Sequence, residues 1–150
     1  MTLALSSSAF QPGSRIPKRH TGEGEDASPP LAWTGVPAGT QELALICDDP
    51  DAPRPKPWVH WVLYGLPATL RELKESHSGV GLEGPNDSGD IGWGGPMPPP
   101  GHGVHRYYFR LYALNAKLNG SRGWSKERLL EAMKGRILET AELMGTYERK

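Results

Sequence analysis

Four side chains in this sequence have the types and placement to share chemistry: His105, Tyr107, His60 and Asp49. His105 and Tyr107 lie two residues apart in a run that alternates like a β-strand. Their side chains therefore emerge on one side, roughly 6–7 Å apart along the backbone. Both can donate hydrogen bonds. His60 sits in a second apolar strand; taken alone it reads as a satisfied core histidine. Asp49 follows a third apolar run at the parity of Cys47, while Asp51 reads as a turn residue capping its own backbone. An aspartate, two histidines and a phenol meeting at one place would make a small polar pocket.

A rigid loop is needed to bring them together, and Gly92–Gly103, GWGGPMPPPGHG, has that composition. Pro96, Pro98, Pro99 and Pro100 fix φ and remove N–H donors. The remaining donors at Gly101, His102 and Gly103 are placed to converge as an anion-binding nest; a stiff loop covering a sheet edge is an equal reading. The stretch lacks the Lys-Ser/Thr ending of a P-loop and precedes a strand, so it does not read as a triphosphate site.

The flanking elements follow from pattern. Thr2–Leu5 reads as an edge strand, and Phe10–Pro30 as irregular, with Trp33 as the next apolar anchor. Glu42–Cys47 is a buried strand, ended by the prolines of Asp48–Pro53. Trp58–Leu66 is the next strand, with Val59, Trp61 and Leu63 on one face and Trp58, His60, Val62 and Tyr64 on the other. Leu70–Glu75 reads as a helical turn and Ser76–Gly95 as a long loop of the functional or mobile kind. Val104–Leu114 places His105, Tyr107, Phe109, Leu111 and Ala113 on its core face. Ser125 caps a helix whose apolar spacing runs through Leu129, Leu130, Met133 and Ile137. Ala141–Tyr147 fits helix or strand, and the strand is preferred.

The totals bound the function. A chain of 150 residues fits one domain covering 1–150. Lysine plus arginine and aspartate plus glutamate number 17 each, so nothing draws the chain broadly to nucleic acid or an anionic membrane. No apolar run is long enough for membrane insertion, and the N-terminus lacks the basic region of a signal peptide; a cytoplasmic protein is expected. The single cysteine, Cys47, excludes an internal disulfide and reads as a buried, inert thiol. No cofactor is implied.

Together, DPDAP at Asp49–Pro53, His60-Trp61, and GPMPPPGHGVHRY at Gly95–Tyr107 resemble the two signature regions of the phosphatidylethanolamine-binding protein (PEBP) family, also called Raf-kinase-inhibitor-like. The likeness runs from Ser28-Pro29 to the ending ELMGTYE, and length and ending look like the bacterial and archaeal branch. It departs from the animal proteins in a shorter Arg54–Pro57 segment and in ending soon after Tyr147, without the C-terminal helix that covers the pocket there. The resemblance implies a mostly β, antiparallel β-sandwich-like fold with one or two short helices. It implies a pocket for phosphate-like anions lined by Asp49, His60, Pro99, His105 and Tyr107, and a cis bond at Ala52-Pro53.

An aspartate in an anion pocket should repel its ligand. Pairing of Asp49 with His60 would answer this by favouring the imidazolium, and affinity should then fall as pH rises above the histidine pKa values. No nucleophile is evident beside the histidines, so the cluster reads as a binding site for a small phosphate-like anion and not as an active site. A hydrolase or metal-dependent enzyme using Asp49, His60 and His105 is the alternative. The family also suggests modulation of a kinase or protease partner through surface loops such as Ser76–Gly95. An exposed Trp93 beside an uncovered pocket edge would suit a homodimer.

Overall fold

Eight successive buried residues make Glu42–Asp49 the central strand β3 of the computed structural model, which describes residues 2–150. Elements in chain order are β1 (Ala4–Ser6), a 3-10 turn (Lys18–His20), β2 (Leu31–Thr34), β3, β4 (Trp58–Pro67), β5 (Glu72–Leu73), β6 (Leu82–Glu83), β7 (His105–Leu114), α1 (Lys126–Met133) and β8 (Ile137–Tyr147). They form a three-stranded sheet ordered β1-β2-β5 and a five-stranded sheet ordered β6-β4-β3-β7-β8. Every strand pair is antiparallel. The chain is mostly β, as expected.

The large sheet is covered on both faces, which is why β3 reads as an unbroken apolar run. On one face Leu43, Leu45, Trp61, Phe109 and Leu111 pack with Leu5, Leu31 and Trp33 of the small sheet. On the other, Ala44, Ile46, Val62 and Tyr64 pack with Leu129 and Met133 of α1. Ser125 caps α1 by accepting from Arg128 N at 3.1 Å. No helix among the described residues is long and apolar enough to cross a membrane.

Several local expectations are corrected. Leu70–Glu75 contains no helical turn; Leu73 pairs with Leu31 in the small sheet and is buried there, so tertiary packing overrides a short charged sequence. The helix stops at Met133 before reaching Ile137. Gly135 adopts φ +76°, Arg136 N donates to the Met133 carbonyl at 2.9 Å, and Ile137 opens β8. That strand then carries Leu143, Gly145 and Tyr147 opposite Phe109, Tyr107 and His105. The long Ser76–Gly95 stretch contains β6. Trp93 is half-buried, not exposed: its ring stacks on Phe109 at 5.9 Å and meets Trp61 edge-on at 5.5 Å. No peptide bond is cis among the described residues, so Ala52-Pro53 holds the lower-energy trans form.

The correction that matters most for function is in β4. Asp48 pairs with Val59 but Cys47 pairs with Trp61, leaving His60 as an extra residue. This β-bulge reverses the alternation. Val59 falls on the α1 side with Val62 and Tyr64, while His60 turns toward Tyr107 on the Trp61 side.

Candidate functional site

Asp49, at the last position of β3, and His105, at the first of β7, sit at the same end of neighbouring strands. His105 Nδ1–H donates to Asp49 Oδ2 at 2.6 Å, and both side chains are almost fully buried. The other carboxylate oxygen, Oδ1, accepts from Asp51 N at 2.7 Å. Asp49 therefore pairs with His105 and not with His60. Both its oxygens are engaged within the protein, which removes much of its repulsion toward an anion.

His60 is held differently. Its Nδ1–H donates to the Gly94 carbonyl at 2.5 Å, and Gly94 N–H donates back to the His60 carbonyl at 2.9 Å. A carbonyl only accepts, so the proton is on Nδ1 and the neutral ring leaves Nε2 as an acceptor. Burial pushes the His60 pKa below its usual value, and the Gly94 bond and the Asp49 charge only partly oppose this. The expected His60 imidazolium is thus overturned: the carboxylate that would have stabilised it is bonded to His105.

Tyr107 lies between them on the same face of β7 as His105, its ring edge-on to His60 at 5.1 Å between centroids. Burial, then the nearby Asp49 charge, push the Tyr107 phenol well above its usual range, so it stays a protonated donor.

These side chains form the polar end of a cavity of about 230 Å³. Trp58, Pro53, Met97, Pro98 and Pro99 line its remaining walls. All five residues singled out in the sequence, Asp49, His60, Pro99, His105 and Tyr107, border this one cavity. Ser88 does too, although nothing in its sequence context marks it.

The loop positions the site through contacts that sequence reading missed. Asn86 donates from Nδ2 to the Gly92 carbonyl at 2.9 Å, and its Oδ1 accepts from Ser88 N and Asp90 N at 2.9 and 3.2 Å. Gly95 N donates to Asp26 Oδ1 at 2.8 Å. A Cβ on Gly95 would collide with that carboxylate and with the His20 carbonyl, so only glycine fits. The supposed nest of Gly101, His102 and Gly103 is not formed. Gly101 N donates to the Arg149 carbonyl at 2.9 Å and His102 N to the Pro99 carbonyl at 3.1 Å.

His102 contributes its ring instead. Its Nδ1 lies 2.6 Å from His105 Nε2, so the two nitrogens share one hydrogen and extend a chain Asp49–His105–His102 toward the surface. The spacing His102-Gly-Val-His105 was the available signal, with Gly103 at φ +98° turning the chain back. Asp51 also differs from its expected role. It does not cap its own turn but binds Arg106 bidentately, Nη2 to Oδ1 at 2.8 Å and Nε to Oδ2 at 2.9 Å, tying the DPDAP turn to β7. The Arg106 hydrogen bonds hold the Asp51 carboxyl below its usual pKa.

Two chemistries weighed from the sequence meet this geometry unevenly. Among the described residues no group of three His, Cys, Asp or Glu is arranged to hold a metal. Cys47 is fully buried, and burial pushes its thiol pKa well up, so it is no nucleophile.

Comparison with known proteins agrees with the fold and with the family resemblance. The family model for phosphatidylethanolamine-binding protein matches residues 6–148. A UPF0098 protein of Methanothermobacter thermautotrophicus is 50% identical over 151 residues, spanning 97% of this chain and 98% of that one. The crystal structure of the PEBP homolog CT736 from Chlamydia trachomatis superposes with a TM-score of 0.94 at 43% identity, covering 99% of each chain. Escherichia coli YbcL, described as a member of the mammalian PEBP family, gives 0.92 at 31% identity over 100% of both chains. The chain belongs to the phosphatidylethanolamine-binding protein family.

Proposed function

We propose that the cavity between the β3 end, the β4 bulge and the Gly92–Gly103 loop binds a small phosphate-like anion, and that the protein acts as a binding module. The observation that carries this reading is the convergence of Tyr107, His60 and His105 on a cavity whose one buried acid already accepts from His105 Nδ1–H and Asp51 N–H. A hydrogen bond in which one partner is ionised is roughly twice as strong as a neutral one. A cavity of about 230 Å³ admits a phosphoryl group with a short substituent. The family takes its name from phosphatidylethanolamine, a phosphodiester that shares only the unesterified phosphoryl oxygens with such a ligand. The binding reading is preferred to hydrolysis because His105 Nε2, the atom a catalytic base would turn toward a nucleophile, faces His102.

Calorimetric titration with inorganic phosphate tests this. The wild type should bind, and His105→Ala should bind at least about tenfold more weakly, because losing the His105 Nδ1–H bond frees the Asp49 carboxylate to repel the ligand. Equal affinity in the two proteins would remove the site.

A further inference from the structure

The His60 ring carries more information than its presence in the cavity. Its Nδ1–H is fixed on the Gly94 carbonyl at 2.5 Å, and Gly94 is fixed in turn on the His60 backbone at 2.9 Å. The backbone at Gly94 also packs closely on Asn86, since a Cβ there would lie 2.9 Å from Asn86 Nδ2. Tyr107 packs against the ring edge-on at 5.1 Å and Trp93 lies at 6.4 Å, so the ring has little room to turn over. Nε2 has no partner among the described residues and is not closed off from the cavity that His60 lines.

We propose that the pocket is built for a phosphoryl group still carrying one acidic proton, a phosphate or phosphomonoester monoanion, which donates to His60 Nε2 and accepts from the Tyr107 hydroxyl. This rests on the anion-binding reading above and narrows it. A fully deprotonated oxyanion would set a lone pair against the Nε2 lone pair. A phosphodiester has no acidic proton to offer either. The groups around His60 do not supply an easy escape through protonation of the ring. Asp49 and Asp48 on β3 and Asp26 from the N-terminal loop favour the imidazolium, but Tyr107 and Trp93 are neutral, and burial outweighs the three carboxylates. Asp49 and Asp26 are already bonded, to His105 and to Gly95 N. The walls formed by Trp58, Pro53, Met97 and Pro98 offer an apolar surface to a monoester's substituent.

The test uses the wild-type protein and calorimetric titration at about pH 6.5, the ordinary histidine value, where a His60 with a lowered pKa is mainly neutral and a phosphomonoester with second pKa about 6 keeps a monoanion fraction. The probes are inorganic phosphate, phenyl phosphate, sulfate and dimethyl phosphate. Phosphate and phenyl phosphate should bind at least about tenfold more tightly than sulfate and dimethyl phosphate, because an ion without the proton leaves a buried acceptor unpaired. Sulfate is the sharper control, since its greater charge would favour it if Coulomb attraction decided the outcome. The tighter of phosphate and phenyl phosphate identifies the source of the group as free anion or monoester, and both carry the proton. Sulfate or dimethyl phosphate binding as tightly as phosphate would overturn the proton requirement and leave the anion pocket standing. Absence of binding by all four would overturn both. Glycerophosphoethanolamine binding as tightly as phosphate would overturn it in favour of an ammonium donor. The 15N spectrum of the phosphate complex gives a second readout: His60 Nε2 should keep the shift of an unprotonated, hydrogen-bonded nitrogen, and a protonated Nε2 would contradict the proposal.

Discussion

His60 and His105 are the same residue type in one cavity, yet their backbones give them opposite roles. His105 points Nδ1–H at a carboxylate; His60 points it at a carbonyl, and burial pushes its pKa down. The difference has a consequence for stability. A histidine whose folded pKa is depressed contributes stability above its unfolded pKa of about 6.5, and this is lost as pH falls through the lower folded value. Chemical denaturation should therefore show the wild type losing stability as pH falls below about 6.5, with a smaller loss for His60→Gln. An identical loss in the two proteins would show that His60 is not the buried neutral group described. The positions of Asp49, His60, Pro99, His105 and Tyr107 around one cavity were legible from two short motifs. Their pairing was not. Which histidine meets Asp49 depends on side-chain direction at strand ends, and His102 became visible only once Gly103 was seen to fold its ring back onto His105.

Two elements turn these residues into a pocket: the β4 bulge and the loop from Gly92 to Gly103. The bulge turns His60 to the Tyr107 side by inserting one residue opposite the Cys47–Asp48 step. Strict alternation placed His60 with Val62 and Tyr64 instead, because a bulge leaves no mark in the apolar pattern of Trp58–Leu66. The long strands β3, β4 and β7, the Ser125 cap and the strand character of Ala141–Tyr147 were legible, since each rests on periodicity or capping chemistry; the two-residue β5 and β6 were not, being too short to show a period. The bonds inside the proline-rich loop were not, because they join residues far apart in sequence, such as Gly95 and Asp26. Gly95→Ala tests the loop as an element. Its methyl would meet the Asp26 carboxylate and the His20 backbone, so unfolding free energy should fall by about 1–3 kcal/mol and phosphate affinity should fall with it. An alanine variant with unchanged stability and affinity would show that this contact does not hold the cavity wall.

Over the whole molecule, the two covered faces of the large sheet leave its strand ends as the place where polar groups can be presented. The polar end of the cavity is built at one such end, where β3 stops, β7 begins and the β4 bulge intervenes. With basic and acidic residues balanced at 17 each, attraction for an anion has to arise there and not from the surface as a whole. The most direct test is a 1H–15N NMR titration of the wild-type protein with inorganic phosphate. Saturable shifts should concentrate at Asp49–Pro53, His60, Gly94 and Gly95, and His102–Tyr107, with the α1 side of the sheet silent. Saturable shifts centred elsewhere, for example on the Glu72–Val80 surface, or no saturable shifts, would contradict the assignment of this cavity as the anion site.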